Sequence, residues 1–218
     1  SLIVGISDYQ FVESLRFADR DARVFEEFLR SQKGGGLPVS NIRSLYNSEA
    51  THDKIYEGLD WLAENVEPED KVYVYFAGHG DVESMFNKPK GYLLSHDSPT
   101  SAYRAGAVRM SDVSEFITAM SEIGAQVIFI ADACKSGNLS GGKEGAAAVI
   151  NHLEQPWGDV VKMLSCGQDE FSLESPDIGG GRGLFSYYLI EGLSGDAEVQ
   201  KDGKINLYEL GSYVKQKV

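Results

Sequence analysis

The chain is short of cysteine. Among 218 residues only Cys134 and Cys166 carry a thiol, and no C-x-x-C pair occurs. That excludes a disulfide scaffold, and a zinc site would need more ligands at closer spacing. A Cys134–Cys166 bridge would consume the thiol that stands at a strand end, so both are read as free. Long apolar runs are also missing. None approaches the roughly 20 residues that a membrane helix needs, so no membrane partner is expected. Basic charge is scarce, with 20 Lys and Arg against 33 Asp and Glu and a net charge of −13. The basic residues are scattered, with no stripe for phosphates, which excludes nucleic acid and favours basic partners. No leader is visible before the strand-like run that starts at Leu2, which by itself says little about compartment; the cytoplasm is the expected location. Upstream or downstream domains are expected to be missing.

What is present is the composition of a globular domain, 42% hydrophobic and 24% charged, long enough to bury a core. Two stretches organise it. Val72 to Gly80 reads Val-Tyr-Val-Tyr-Phe-Ala-Gly-His-Gly, and Val127 to Gly137 reads Val-Ile-Phe-Ile-Ala-Asp-Ala-Cys-Lys-Ser-Gly. Each is a short run rich in β-branched and aromatic residues, bounded by turn residues, as expected of a buried parallel strand. The carboxyl ends of such strands share one rim, where ligands bind. If the two strands are neighbours, His79 and Cys134 emerge side by side.

The rest of the chain alternates. Leu2–Ile6 reads as a strand, and the segment from Leu15 opens a helix with Ala22, Phe25, Phe28 and Leu29 on one face. Ile42–Tyr46 is a second strand. Thr51 is the expected N-cap of a helix carrying Ile55, Leu59, Leu62 and Val66. Between Asp81 and Arg109 there is no helical periodicity, and Tyr92–Leu94 reads as a short strand in an excursion. Ser111 is expected to cap a helix bearing Val113, Phe116, Ile117 and Met120. After Gly137 a glycine-rich surface loop precedes a strand at Val160–Cys166. Ser175–Gly183 reads as a second flexible loop, Leu184–Leu193 as a helix, and a last helix begins near Asn206. Strand and helix in alternation argue for a wound, mostly parallel α/β sheet.

A thiolate is the nucleophile in cysteine catalysis and needs a base to form it, for which histidine is suited by its near-neutral pKa. Gly78 and Gly80 give a substrate access to His79. The backbone N–H groups of Gly80 and Cys134 would make an oxyanion hole for a tetrahedral intermediate. The implied reaction is acyl transfer, in particular peptide hydrolysis. His96, in the excursion, is the rival histidine; His52 and His152 read as surface residues.

Tyr-Phe-Ala-Gly-His-Gly (75–80) and Asp-Ala-Cys-Lys-Ser-Gly (132–137) resemble the histidine and cysteine motifs of the caspase-like cysteine peptidases (family C14, clan CD). Within that family they look most like the motifs of bacterial metacaspase-like (orthocaspase) and paracaspase members. The two residues lie 55 apart, close to the spacing of about 50 expected for caspases. Leu2–Ile6, Leu15–Ala22, Gly183–Leu193 and Asp202–Ile205 resemble further family landmarks. The resemblance implies a three-layer α/β/α sandwich with a central, mostly parallel sheet of about six strands. One domain would span 1–218, with a large-subunit-like part (1–137), a loop (about 138–158) and a small-subunit-like part (159–218).

It also implies specificity. Asp132 stands two residues before the cysteine, as in metacaspases, which cleave after Arg or Lys, and Asp21 stands where that family has a second acid. Two carboxylates in one pocket can hold a guanidinium through charge-assisted bonds, with Ala77 beside them as a further substrate-binding position. Asp132 also fits as the cap of the following turn, and Asp21 as an ordinary first-turn helix acid. The expected partner is a protein or peptide with Arg or Lys at the cleavage site, and the resemblance implies a monomer. Lys135 replaces the histidine that many members carry, and Gly141 stands where calcium-dependent members have an acid. No metal site or cofactor is therefore expected, and Asp196, Glu198 and Asp202 read as a turn, since Lys201 occupies the glycine position of an EF-hand. Lys143 is a candidate self-cleavage point that also fits as a plain surface lysine. A non-catalytic caspase-like module that binds a partner is the alternative.

Overall fold

The computed structural model describes residues 1–85, 88–133, 160–165 and 173–218. Cys134, Lys143, Cys166 and the 138–158 loop lie outside the described residues. In chain order the elements are β1 (Leu2–Gly5), α1 (Ala18–Arg30), β2 (Arg43–Tyr46), α2 (His52–Asn65) and β3 (Lys71–Ala77). The excursion follows as β4 (Gly80–Met85), β5 (Lys88–Leu93) and β6 (Val108–Arg109), then α3 (Met110–Glu122) and β7 (Gln126–Asp132). The chain continues with β8 (Val161–Leu164), β9 (Glu174–Ser175), β10 (Arg182–Gly183), α4 (Leu184–Glu191) and α5 (Leu207–Lys217).

Among the described residues, five strands form a parallel sheet in the order β2-β1-β3-β7-β8. Helices cover both of its faces, giving the expected three-layer α/β/α arrangement. Strand alternation sorts the side chains. Leu2 and Val4 of β1, Val72, Val74 and Phe76 of β3, and Val127 and Phe129 of β7 pack with α2 and α3. Ile3, Tyr75, Ala77 and Ile130 face the other way, against α1, α4 and α5. Both faces are apolar, so the central strands β1, β3 and β7 are nearly unbroken hydrophobic runs.

The helices follow their apolar stripes with shifted ends. α1 starts at Ala18 rather than Leu15, and its buried stripe is Ala18, Asp21, Ala22, Phe25 and Leu29. It lies so close to β1 that a Cβ on Gly5 would come within 2.3 Å of the Ala22 Cβ. Thr51 is the N-cap of α2 but makes no side-chain capping bond. Instead the Asp97 carboxylate accepts from His52 N–H at 2.9 Å, which ties the excursion to this helix. Ser111 lies inside α3, whose N-cap is Arg109. α5 begins with a capping box in which Asn206 and Glu209 satisfy each other's backbone N–H groups, as this sequence pattern favours.

The excursion is more ordered than its sequence implies. β4, β5 and β6 make a separate antiparallel sheet, with Tyr92, Leu93 and Val108 in the core on the α2/α3 side. Gly and Pro are poor strand formers, so β5, which contains Pro89 and Gly91, is made by cross-strand pairing rather than by local preference. The 175–183 loop likewise contains β10, antiparallel to β9.

Candidate active site

β3 and β7 are adjacent and in register from Lys71↔Gln126 to Ala77↔Asp132. Beyond the last pair, Gly78 N–H donates to the Asp132 carbonyl at 3.0 Å. β3 and β7 therefore end at the same rim, His79 lying two residues past the last paired position of β3 and Cys134 following that of β7 by two residues in sequence.

His79 is fully buried, and three contacts set its position. Its backbone N–H donates to the Tyr9 hydroxyl at 2.7 Å, and its carbonyl accepts from Leu94 N–H at 2.9 Å. The Tyr9 ring packs against the imidazole with centroids 4.8 Å apart. Gly78 leaves room for this, since a Cβ there would come within 2.5 Å of the Tyr9 hydroxyl oxygen. The imidazole Nε2 lies 2.8 Å from the Glu13 carbonyl oxygen. A carbonyl only accepts, so Nε2 carries the proton, and in the neutral ring Nδ1 is left with the lone pair. Nδ1 is buried and makes no hydrogen bond among the described residues. Burial pushes the His79 pKa below its ordinary value; the Glu13 carbonyl and, more weakly, the Glu13 and Asp81 carboxylates oppose this. The result is a histidine held neutral in one tautomer.

Asp81 is itself completely buried. Its carboxylate accepts from the Tyr103 hydroxyl at 2.7 Å and from Val82 N–H at 2.8 Å. Gly80, the expected oxyanion donor, opens β4 opposite Leu93 of β5. His96 is tied elsewhere, its Nδ1 2.6 Å from the Asp8 carbonyl oxygen.

The two expected pocket acids converge behind this rim. Asp132 continues the β7 alternation onto the α1/α4 side. Asp21 lies on the inward stripe of α1, and Ser186 on that of α4. A Cβ on Gly183 would be 2.8 Å from Asp21 Oδ2 and 3.1 Å from Asp132 Oδ2, so both carboxylates close on one glycine. Asp132 accepts from the Ser186 hydroxyl at 2.6 Å, and Ser186 Oγ also lies 2.7 Å from the Tyr75 hydroxyl. Asp21 is engaged by its own chain. Its Oδ1 accepts from Arg182 Nε, and its Oδ2 accepts from Gly183 N–H at 2.8 Å. Burial pushes the Asp21 carboxyl up to about 7, against the pull of Arg182 and with a push from Asp132. Ala77 is buried on the same side of the sheet.

Four contributors were missed in the sequence. The Glu13 carbonyl leaves no side-chain signature. Tyr9 reads as part of a turn, Ser186 as an ordinary helix position, and Arg182 as a residue of a flexible loop. Only Arg182 carried a usable signal: it is the arginine that directly precedes the Gly183–Leu193 landmark. Among the described residues, no group of three or more His, Cys, Asp or Glu side chains is placed to hold a metal ion, and no helix is long and apolar enough to cross a membrane.

Comparison with known proteins agrees with this architecture. The crystal structure of protein GSU0716 from Geobacter sulfurreducens superposes with a TM-score of 0.67 at 13% identity, over all of this chain and 88% of that one. At that identity the likeness concerns the fold alone. No curated protein sequence matches the chain. The family profile described as caspase domain, peptidase C14, matches residues 1–218. With its sheet, its glycine-flanked histidine and its full length covered by that profile, the chain belongs to the caspase-domain family of cysteine peptidases.

Proposed function

We propose that the protein is a metacaspase-like endopeptidase that hydrolyses peptide bonds after Arg or Lys through a His79–Cys134 dyad. One observation carries this reading: His79 is buried just past the end of β3, with Nε2–H held by the Glu13 carbonyl and Nδ1 without a partner among the described residues. A base needs an available lone pair of fixed direction, and this tautomer provides it. The register supports Cys134 as its partner. Each residue lies two positions beyond the Ala77↔Asp132 pair, and two residues span at most about 7 Å.

In the proposed mechanism, Nδ1 takes the thiol proton and the Cys134 thiolate attacks the carbonyl carbon. The N–H groups of Gly80 and Cys134 receive the oxyanion, and His79 then passes the proton to the leaving amine. Water hydrolyses the acyl-enzyme with His79 as base. Asp21 and Asp132 hold the basic side chain, and Ala77 lines its path. Nothing in this chemistry requires a metal or cofactor, and self-cleavage at Lys143 would be the same reaction on the chain's own loop.

The test is cleavage of fluorogenic peptides ending in Arg, Lys, Asp or norleucine, with and without calcium, using Cys134→Ala as control. Activity on Arg or Lys that disappears in the variant is the expected result. A folded protein silent on all four peptides would overturn the reading in favour of a partner-binding module.

A further inference from the structure

Arg182 is paired with Asp21 of the acidic pair, and it is held incompletely. Its Nε reaches Asp21 Oδ1, while its Nη2 is buried with no hydrogen-bond partner among the described residues. A guanidinium has five donors to satisfy, so this resident makes less of the site than a well-aligned guest could. Asp21, for its part, has both oxygens occupied, by Arg182 and by Gly183 N–H. It can give a substrate guanidinium a paired contact only if Arg182 leaves.

The segment that carries Arg182 is suited to leaving. Residues 179 and 180 are exposed, and Gly179, Gly180 and Gly181 all have positive φ, of 56°, 73° and 102°. Such a run is shaped by its contacts rather than by side-chain packing of its own. Three ties hold it to α1: Arg20 donates to the carbonyls of Gly179 and Gly180, Arg182 pairs with Asp21, and Gly183 N–H donates to Asp21 Oδ2. Beyond them its end is held by the two-residue β9–β10 ladder. Burial alone would keep the Asp21 carboxyl protonated, so the site needs a cation whenever it is ionised. Exchanging one guanidinium for another preserves that charge.

We propose that Arg182 is a built-in occupant of the basic-residue pocket, an internal arginine that the Arg or Lys of a substrate displaces as the 178–183 strap swings away. The inference rests on the proposed Arg/Lys specificity and adds a regulator to it. The resident is tethered to its site and so competes at high effective concentration. The apparent affinity for basic peptides is reduced by the fraction of pockets that are open.

Steady-state kinetics on Arg and norleucine peptides test this, with binding of the Arg peptide to the Cys134→Ala protein as a readout free of turnover. Arg182→Gln is expected to raise the Arg-over-norleucine ratio of kcat/KM about tenfold, through a lower KM. Should that variant fail to fold, Arg20→Gln, a change at an exposed residue, loosens the strap and is expected to lower the KM for the Arg peptide two- to threefold. An Arg-peptide KM and Kd that stay constant or rise in the folded variants overturn the proposal and make Arg182 a buttress of Asp21. That result leaves Arg/Lys specificity standing. An unsubstituted enzyme and variants that all cleave after norleucine or Asp but not after Arg or Lys would defeat the specificity and this inference together.

Discussion

Removing one oxygen from Tyr9 tests how the histidine is held. The Tyr9 hydroxyl accepts the backbone N–H of His79 at 2.7 Å, and both residues are buried. Tyr9→Phe keeps the ring against the imidazole but leaves that N–H without an acceptor, in a place with little space for water. An orphaned buried donor costs about 1–3 kcal/mol. Taking about 2 kcal/mol and a shift of about 2–4 °C per kcal/mol for a chain of this size, Tm should fall by about 4–8 °C. Freed at its backbone, His79 no longer presents Nδ1 at one angle, and kcat/KM should drop about tenfold or more, as small misplacements of a base do. The assay is a thermal or urea melt, beside turnover of the best fluorogenic peptide. Tyr208→Phe is the control, since Tyr208 is 83% exposed and should change neither quantity. A Tyr9→Phe protein within about 0.5 kcal/mol of the parent, with unaltered turnover, would refute the reasoning.

Other consequences can be measured with the same tools. Gly183→Ala places a Cβ 2.8 Å from Asp21 Oδ2 and 3.1 Å from Asp132 Oδ2, and overpacking of this kind costs about 1–3 kcal/mol; urea melts should show that loss together with a higher KM for basic peptides. Ser186→Ala withdraws the hydroxyl that donates to Asp132 and meets Tyr75, so a loss of about 1–3 kcal/mol is expected, and a neutral result would show that water replaces it. Stability should fall as the pH drops below about 6.5, because the unfolded chain protonates its histidine before His79, whose pKa burial has lowered, does so. Asp21 acts in the opposite sense. Its folded pKa of about 7 lies above the ordinary 3.8, so the folded state binds that proton more tightly and stability declines as the pH rises between these values. Asp21→Asn should remove that decline from a pH series of urea melts, although it also lowers stability at every pH by leaving Arg182 unpaired.

Much of the architecture was legible because it rests on local periodicity. Val72 to Ala77 and Val127 to Ala131 are too short and too apolar to be surface helices, and their alternation serves two buried faces. His79 stood out because an apolar run stops on Gly-His-Gly. Family resemblance, rather than any spacing, drew attention to Asp21 and Asp132, which are far apart in sequence. The three-stranded excursion was nearly invisible, since β5 contains a proline and a glycine. The starts of α1 and α3 shifted by a few residues, whereas α2 has the expected N-cap, Thr51, with the capping bond supplied from a distance by Asp97.

By itself, the sequence determined which runs are buried strands, which helix stripes face them and which residues stand at the strand ends. Those properties follow from hydrophobic pattern and turn chemistry within a few residues. Only the tertiary structure decided that a carbonyl from the 6–17 connection selects the His79 tautomer. It also decided that an arginine 161 residues away in the chain occupies Asp21. Hydrogen bonds and ion pairs depend on which atoms the packed sheet and helices bring within 3 Å, and no local pattern encodes that distance.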